Sequence, residues 1–228
     1  MKQMLKRPTS LRVRQSGFTI VELMIATVVS STILLVITIG VIHFTNGYYH
    51  GITSSNTQAT TQNAIDAIAH AIEFNSSGTV ATDGSQGVFC AGNQVFLYTL
   101  GKQLTGDPSP ANWGLYQLDN PSSNCVVPPD TSGGQELLGS KMRLSYLSLQ
   151  EVGSADVWNL GVRVAYGDSD LLCDKSVGGA TGGCSPGAAD FTATSTISGD
   201  DIFCKTVTGS QFCSVTALNT AIGQRIAN

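Results

Sequence analysis

Gly17-Phe18-Thr19-Ile20-Val21-Glu22-Leu23-Met24-Ile25-Ala26 is the stretch from which the rest of this chain is read. Upstream of it stand Lys2, Lys6, Arg7, Arg12 and Arg14, with no acidic residue among them. Downstream, Leu23 to Phe44 is uncharged and rich in Ile, Leu and Val. That run suffices to cross a bilayer core, which takes about 20 residues at a rise of about 1.5 Å each. The basic leader predicts a cytoplasmic N-terminus and an exported C-terminal bulk. Glu22 stands out, because a carboxylate costs about 3 kcal/mol at the bilayer centre and less near the interface. Such a residue points to a function and to a partner.

A basic leader, then Gly17, Phe18 and Glu22 at this spacing, resembles the processing site and spine helix of type IV prepilins, a family that includes type II secretion pseudopilins. The resemblance is close from Gln15 to Phe44, loose to Phe74, and beyond that only one of layout. It implies cleavage by a prepilin peptidase after Gly17 and N-methylation of Phe18. It also implies that Glu22 pairs with the N-terminal amine of a neighbouring subunit during filament assembly. The residue types suit those roles: a small Gly fits a cleft that a bulky residue blocks, and a carboxylate in an apolar bundle takes its cation from the next helix, which can set register more than stability. An uncleaved signal anchor, with Glu22 reaching the headgroups, is the plain alternative. A secretory signal peptide fits worse, since the apolar run is too long and lacks a small-residue cleavage site after it. The leader is longer than in many type IVa pilins, yet Phe18 is the type IVa start, so the subclass stays open.

The expected organisation is a leader over 1–17, a spine helix over 18–75 with its membrane or filament-core part over 18–44, and an exported β-rich domain over 76–228. Five of the twelve basic residues and none of the sixteen acids lie in the leader, so the remaining 211 residues carry a formal −9. That balance offers no basic nucleic-acid groove. Cys90, Cys125, Cys173, Cys184, Cys204 and Cys213 all fall in the exported part, an even number that indicates an oxidising compartment and up to three disulfides. Fifteen connectivities are open, and the sequence-local one is Cys90–Cys125, Cys173–Cys184 and Cys204–Cys213. Zinc is disfavoured, because there is no C-x-x-C pair and His43, His50 and His70 all lie in the helix.

Along the helix, Gly40, Gly47 and Gly51 each cost about 1 kcal/mol relative to Ala. They suggest either local melting in a filament or close packing on a neighbour. Tyr48 and Tyr49 suit an aromatic belt at the outer interface. Ala64, Ile65, Ile68, Ala71 and Ile72 recur at helical spacing and form one apolar face, opposite Gln62, Asp66 and Glu73. Asn75-Ser76-Ser77-Gly78 stops the helix. The fold class expected is α+β, with the spine packed on an antiparallel sheet and a disulfide-bearing C-terminal region. Strands are expected at 94–100, 113–118, 141–149 and 156–166. In the last, Trp158, Leu160, Val162, Val164 and Tyr166 alternate with Asn159, Gly161, Arg163 and Ala165, which gives one buried and one more open face. Residues 105–110 and 121–134 read as loops. A hairpin of 202–205 with 211–213 is expected around Thr208-Gly209. A final helix is expected after Ser214 as N-cap, with Leu218, Ile222 and Ile226 repeating every four residues.

Catalytic chemistry is not expected. No G-x-S-x-G, Walker or H-E-x-x-H pattern occurs, and no His lies outside the spine to serve a triad. Asp168, Asp170 and Asp174 are the calcium candidates, but the EF-hand spacing is missing and a solvated acidic turn is preferred. Asp200-Asp201 reads the same way. His70, Trp113 and Trp158 read as packing residues, and no cofactor is indicated. The expected role is a structural, non-enzymatic filament subunit, more a minor than a major pilin because of its six cysteines and loop-rich tail. The expected partners are the peptidase, other pilin subunits, the assembly machinery and the membrane. A type II secretion pseudopilin and an anchored adhesin that never polymerises remain the alternatives.

Overall fold

The computed structural model describes residues 17–74, 78–83, 86–91, 93–103, 114–119, 125, 133–153, 157–174, 184, 191, 202–207 and 209–225. The chain divides into two compact units at Thr45/Asn46. The first holds the apolar half of a single helix, α1 (Ile20–Phe74). This half carries no proline, and its Ile, Leu and Val side chains are exposed. By length and composition it is able to cross a membrane. Gly40, Gly47 and Gly51 do not interrupt α1, and a Cβ at any of them would meet nothing within 4 Å.

In the second unit, Ala64, Ile65, Ile68, Ala71 and Ile72 are buried, as their spacing predicts. Gln62 and Asp66 are exposed on the other side. Thr53, Thr57 and Thr61 extend the buried stripe toward the N-terminus. Their hydroxyls donate to carbonyls one turn back, on Tyr49 (3.0 Å), Thr53 (2.7 Å) and Thr57 (2.7 Å), which satisfies each polar group where it is buried.

A five-stranded antiparallel meander follows: β1 (Gly78–Asp83), β2 (Gln86–Ala91), β3 (Gln94–Thr99), β4 (Leu115–Asp119) and β5 (Gln135–Glu136). Asp83 pairs with Gln86 and Ala91 with Gln94, so only two residues separate the strands at each of these hairpins. Cross-strand partners Phe89 and Phe96 stack with centroids 4.4 Å apart. Gly87 lies opposite Tyr98, whose ring fills the space that a Cβ would need.

A second antiparallel sheet has the order β10-β7-β6, from β6 (Met142–Glu151), β7 (Val157–Tyr166) and β10 (Ser214–Gly223). It is joined to the meander by a parallel bridge between Leu100 and Leu144, with Gly101 N–H donating to the Leu144 carbonyl at 2.7 Å. The helix stripe, Phe89 and Phe96 of the meander, and Leu160, Val162, Val164 and Ile222 of the second sheet form one core. Burying a side chain such as Ile68 there stabilises by about 1.5–3 kcal/mol. The architecture is the expected α+β class, but the antiparallel layer is split. A third pair, β8 (Leu172–Asp174) with β9 (Ile202–Cys204), builds a smaller core with Ala165, Phe191 and Cys213. That core covers part of the β7 face expected to be open, and Ala165 is fully buried there.

The three cysteine pairs are sequence-local: Cys90–Cys125, Cys173–Cys184 and Cys204–Cys213, with Cα separations of 5.7, 6.2 and 5.8 Å.

Two expectations for the tail are corrected. The stretch after Ser214 is strand β10, not a helix. Leu218 and Ile222 are four apart, an even spacing that places them on one face of a strand as well as of a helix. Ser214, Thr216 and Ile222 are buried and Leu218 and Thr220 half-buried, whereas Ala217, Asn219, Ala221 and Gly223 are exposed, which is period two. Ile226 lies outside the described residues. The hairpin of 202–205 with 211–213 does not form. β9 pairs with β8, and Ser210–Phe212 is a 3₁₀ turn entered through Gly209 at φ 100°, where a side chain is disfavoured. The Cys204–Cys213 disulfide ties that turn to β9 without a ladder.

Candidate functional site

The N-terminal site is built on the first turn of α1. Thr19 sits just before the helix, and Glu22 is its third residue. The Glu22 amide donates to Thr19 Oγ1 at 3.2 Å, and the Thr19 amide donates back to Glu22 Oε2 at 3.3 Å. The Thr19 hydroxyl also lies 3.3 Å from Glu22 Oε2. This reciprocal pair is a capping box, T-x-x-E, which satisfies two amides that the helix leaves free. The carboxylate also sits where the helix dipole favours it. Within this chain, then, Glu22 already has a task that needs no neighbour. That task was legible in Thr19-Ile20-Val21-Glu22, and the reading from the apolar run missed it.

Gly17 and Phe18 precede the box, and both are exposed. A Cβ at Gly17 would meet nothing within 4 Å, and its φ is not one of the positive glycine angles. The fold therefore does not require glycine at this position.

Among the described residues, the remaining candidates do not assemble a reaction centre. Asp168 is engaged by Lys141 Nζ at 2.9 Å and by Gln103 Nε2 at 3.1 Å, and these two bonds hold its carboxyl below the usual range. Asp174 is at the end of β8. Among the described residues no three His, Cys, Asp or Glu side chains are placed to hold a metal ion, so Asp168, Asp170 and Asp174 form no such group. Asp200 and Asp201 lie outside the described residues, as does Trp113. His43, His50 and His70 are exposed on α1, and the His70 ring lies 4.7 Å from that of Phe74. Trp158 packs against the main core, as expected for a packing residue.

Two polar arrangements have no counterpart in the sequence reading. Arg143 is only 1% exposed, donates to Gln103 Oε1 and the Gly167 carbonyl, and lies over the Phe191 ring at 5.0 Å. Burial lowers its pKa to about 10, with nearby Asp168 acting in the opposite direction. Glu136 accepts amide hydrogens from Gly114 (2.8 Å), Leu115 (2.8 Å) and Leu138 (3.2 Å). Burial nevertheless pushes its carboxyl up, against those bonds. Both arrangements join distant parts of the chain, and both read as fold-holding.

The N-terminal segment decides the comparison with known proteins. Residues 12–38 match the family described as the prokaryotic N-terminal methylation motif. The chain carries the type IV prepilin signature. The matched segment takes in the exposed Gly17–Phe18 bond, the Thr19–Glu22 capping box and the first part of α1, to residue 38. The family is a structural motif, not an enzyme family, and an apolar helix of this kind is consistent with membrane anchoring of a prepilin. Comparison of the chain with curated proteins and with solved structures finds no match.

Proposed function

We propose that this chain is a non-enzymatic subunit of a type IV pilus-like filament, in the role of a minor pilin. It waits in the cytoplasmic membrane on the apolar half of α1 with its leader in the cytoplasm. Prepilin peptidase cuts after Gly17, Phe18 becomes the methylated N-terminus, and the processed subunits polymerise through their spine helices. Such head-to-tail contacts do not close, so a filament grows. Glu22 pairs with the N-terminal amine of the neighbouring subunit and sets register. The domain after the spine, with its disulfides, faces outward.

The observation that carries this reading is Gly17 itself. Among the described residues no neighbour crowds it and no positive φ demands it, so the fold sets no requirement for glycine there, which supports a role in a cleft that closes on the Gly17–Phe18 bond. Gly17→Val tests this. The variant is expected to fold with unchanged melting behaviour and to accumulate in the membrane with its leader uncut. A Gly17→Val chain that is processed and sheared from the surface like the parent would refute the peptidase reading.

A further inference from the structure

We propose that β10 is a docking edge for a second copy of this chain, paired antiparallel about a two-fold axis near Asn219. β10 is an outer strand of its sheet, and its ten residues pair with β7 without a register shift. Among the described residues, no backbone–backbone hydrogen bond outside that ladder involves Ser214–Gly223. In an antiparallel pair, alternate residues turn both N–H and C=O away from the partner, so about half of the β10 groups face outward. Exposed edges of this length are normally blunted by charge, proline or a bulge. β10 carries none of these.

The other sheet edges contrast with it. β5 has two residues, and β8 and β9 have three each. β1 is six residues long and ends in Asp83. β6 is bridged to the meander at Leu144, breaks register between Leu144 and Tyr146, and carries Arg143 and Glu151. Among the described residues the long unguarded edge is therefore β10.

A second copy suits this edge because the strand is complementary to itself. With the axis at Asn219, exposed Ala217 lies opposite Ala221 of the copy, and the two Asn219 amides face each other. On the inner side Leu218 meets Thr220, and Thr216 meets Ile222. No like charges meet, every outward group gains a partner, and two three-stranded sheets become one of six strands. This contact closes on itself, unlike spine-helix polymerisation, and it does not depend on that polymerisation.

The test is hydrogen–deuterium exchange of the full chain in detergent micelles over about a hundredfold range of concentration. Alternate amides within 214–223 are expected to gain at least about tenfold protection as concentration rises, while β7 amides do not change. A triple variant, Ala217→Lys, Asn219→Lys and Ala221→Lys, changes only exposed residues but sets like charges opposite one another, so it should lose the gain. β7 protection and the three disulfides report that the variant has folded. Exchange at β10 that is independent of concentration, or a gain that survives the triple variant, overturns the proposal. Leader processing is read separately on the N-terminal peptide, so a failure of the filament reading is distinguishable from a failure at β10.

Discussion

Glu22 closes a capping box and is proposed to pair with a neighbour's amine, and a pair of substitutions separates the two tasks. In the isolated chain its carboxylate accepts from the Thr19 amide at 3.3 Å and closes the capping box. Glu22→Gln keeps an oxygen that accepts the same hydrogen bond but removes the charge. Glu22→Ala removes both. Losing the cap costs about 0.5–2 kcal/mol. Losing one member of a charge pair buried among apolar helices costs about 3–5 kcal/mol, because the orphaned amine stays buried; that is more than a hundredfold in an assembly equilibrium. If the charge sets assembly, Gln and Ala should therefore fail alike, with filament incorporation down by at least about a hundredfold in both. If the cap were all that mattered, Gln would assemble like the parent and Ala would lose about thirtyfold at most. The assay is the ratio of sheared to membrane-bound protein by quantitative peptide mass spectrometry, with processing confirmed in each variant. Normal incorporation of Glu22→Gln would refute the pairing role.

Other consequences follow from the domain after the spine. Ile68 is fully buried, and Ile68→Ala should cost about 3 kcal/mol and lower the melting temperature by about 6–12 °C, whereas exposed Asp66→Ala should stay within about 0.5 kcal/mol. The Cys90–Cys125 link spans 35 residues against 11 and 9 for the others, so loop entropy assigns it about 4 kcal/mol and each of the others about 2.5–3 kcal/mol. Replacing Cys90 and Cys125 together by Ala should thus lower the melting temperature most, and an identical melting curve with and without reductant would contradict the pairing. Glu136 has its carboxyl pushed above 4.5 by burial, so the native chain keeps a proton that the unfolded chain has released. Stability should then fall as pH rises from about 4.5 through the raised value and level off above it. Glu136→Gln should flatten that fall in denaturant midpoints taken from about pH 4 to 7, while costing about 1–3 kcal/mol throughout because its amide faces the Gly114 N–H.

What could be read in advance was local. The apolar run, the Ile65–Ile72 stripe, four strands and the sequence-local cysteine pairs all rest on short-range periodicity or spacing. The strand β10 was misread because a four-residue repeat fits both periods. Val215, Thr216 and Thr220, all β-branched, were the available tie-break. The hairpins of the meander were also signalled, by the two-residue breaks Gly84-Ser85 and Gly92-Asn93. The Thr53, Thr57 and Thr61 stripe was hidden by residue type, since threonine reads as surface unless its hydroxyl can return to the helix backbone. The Arg143 arrangement had no local signal, because Gln103 lies 40 residues away and Gly167 lies 24 away. At the N-terminal site, Gly17, Phe18 and Glu22 were legible as a pattern. The Thr19–Glu22 box was legible too, as T-x-x-E before an apolar run, whereas the freedom around Gly17 shows only in the structure.

The central claim is that this chain is cut after Gly17 and enters a filament. Mass spectrometry of the N-terminal peptide, on protein sheared from the cell surface and on protein left in the membrane, tests it most directly. The account predicts a peptide that begins at N-methylated Phe18 in the sheared fraction. An intact Met1 leader in both fractions would contradict it.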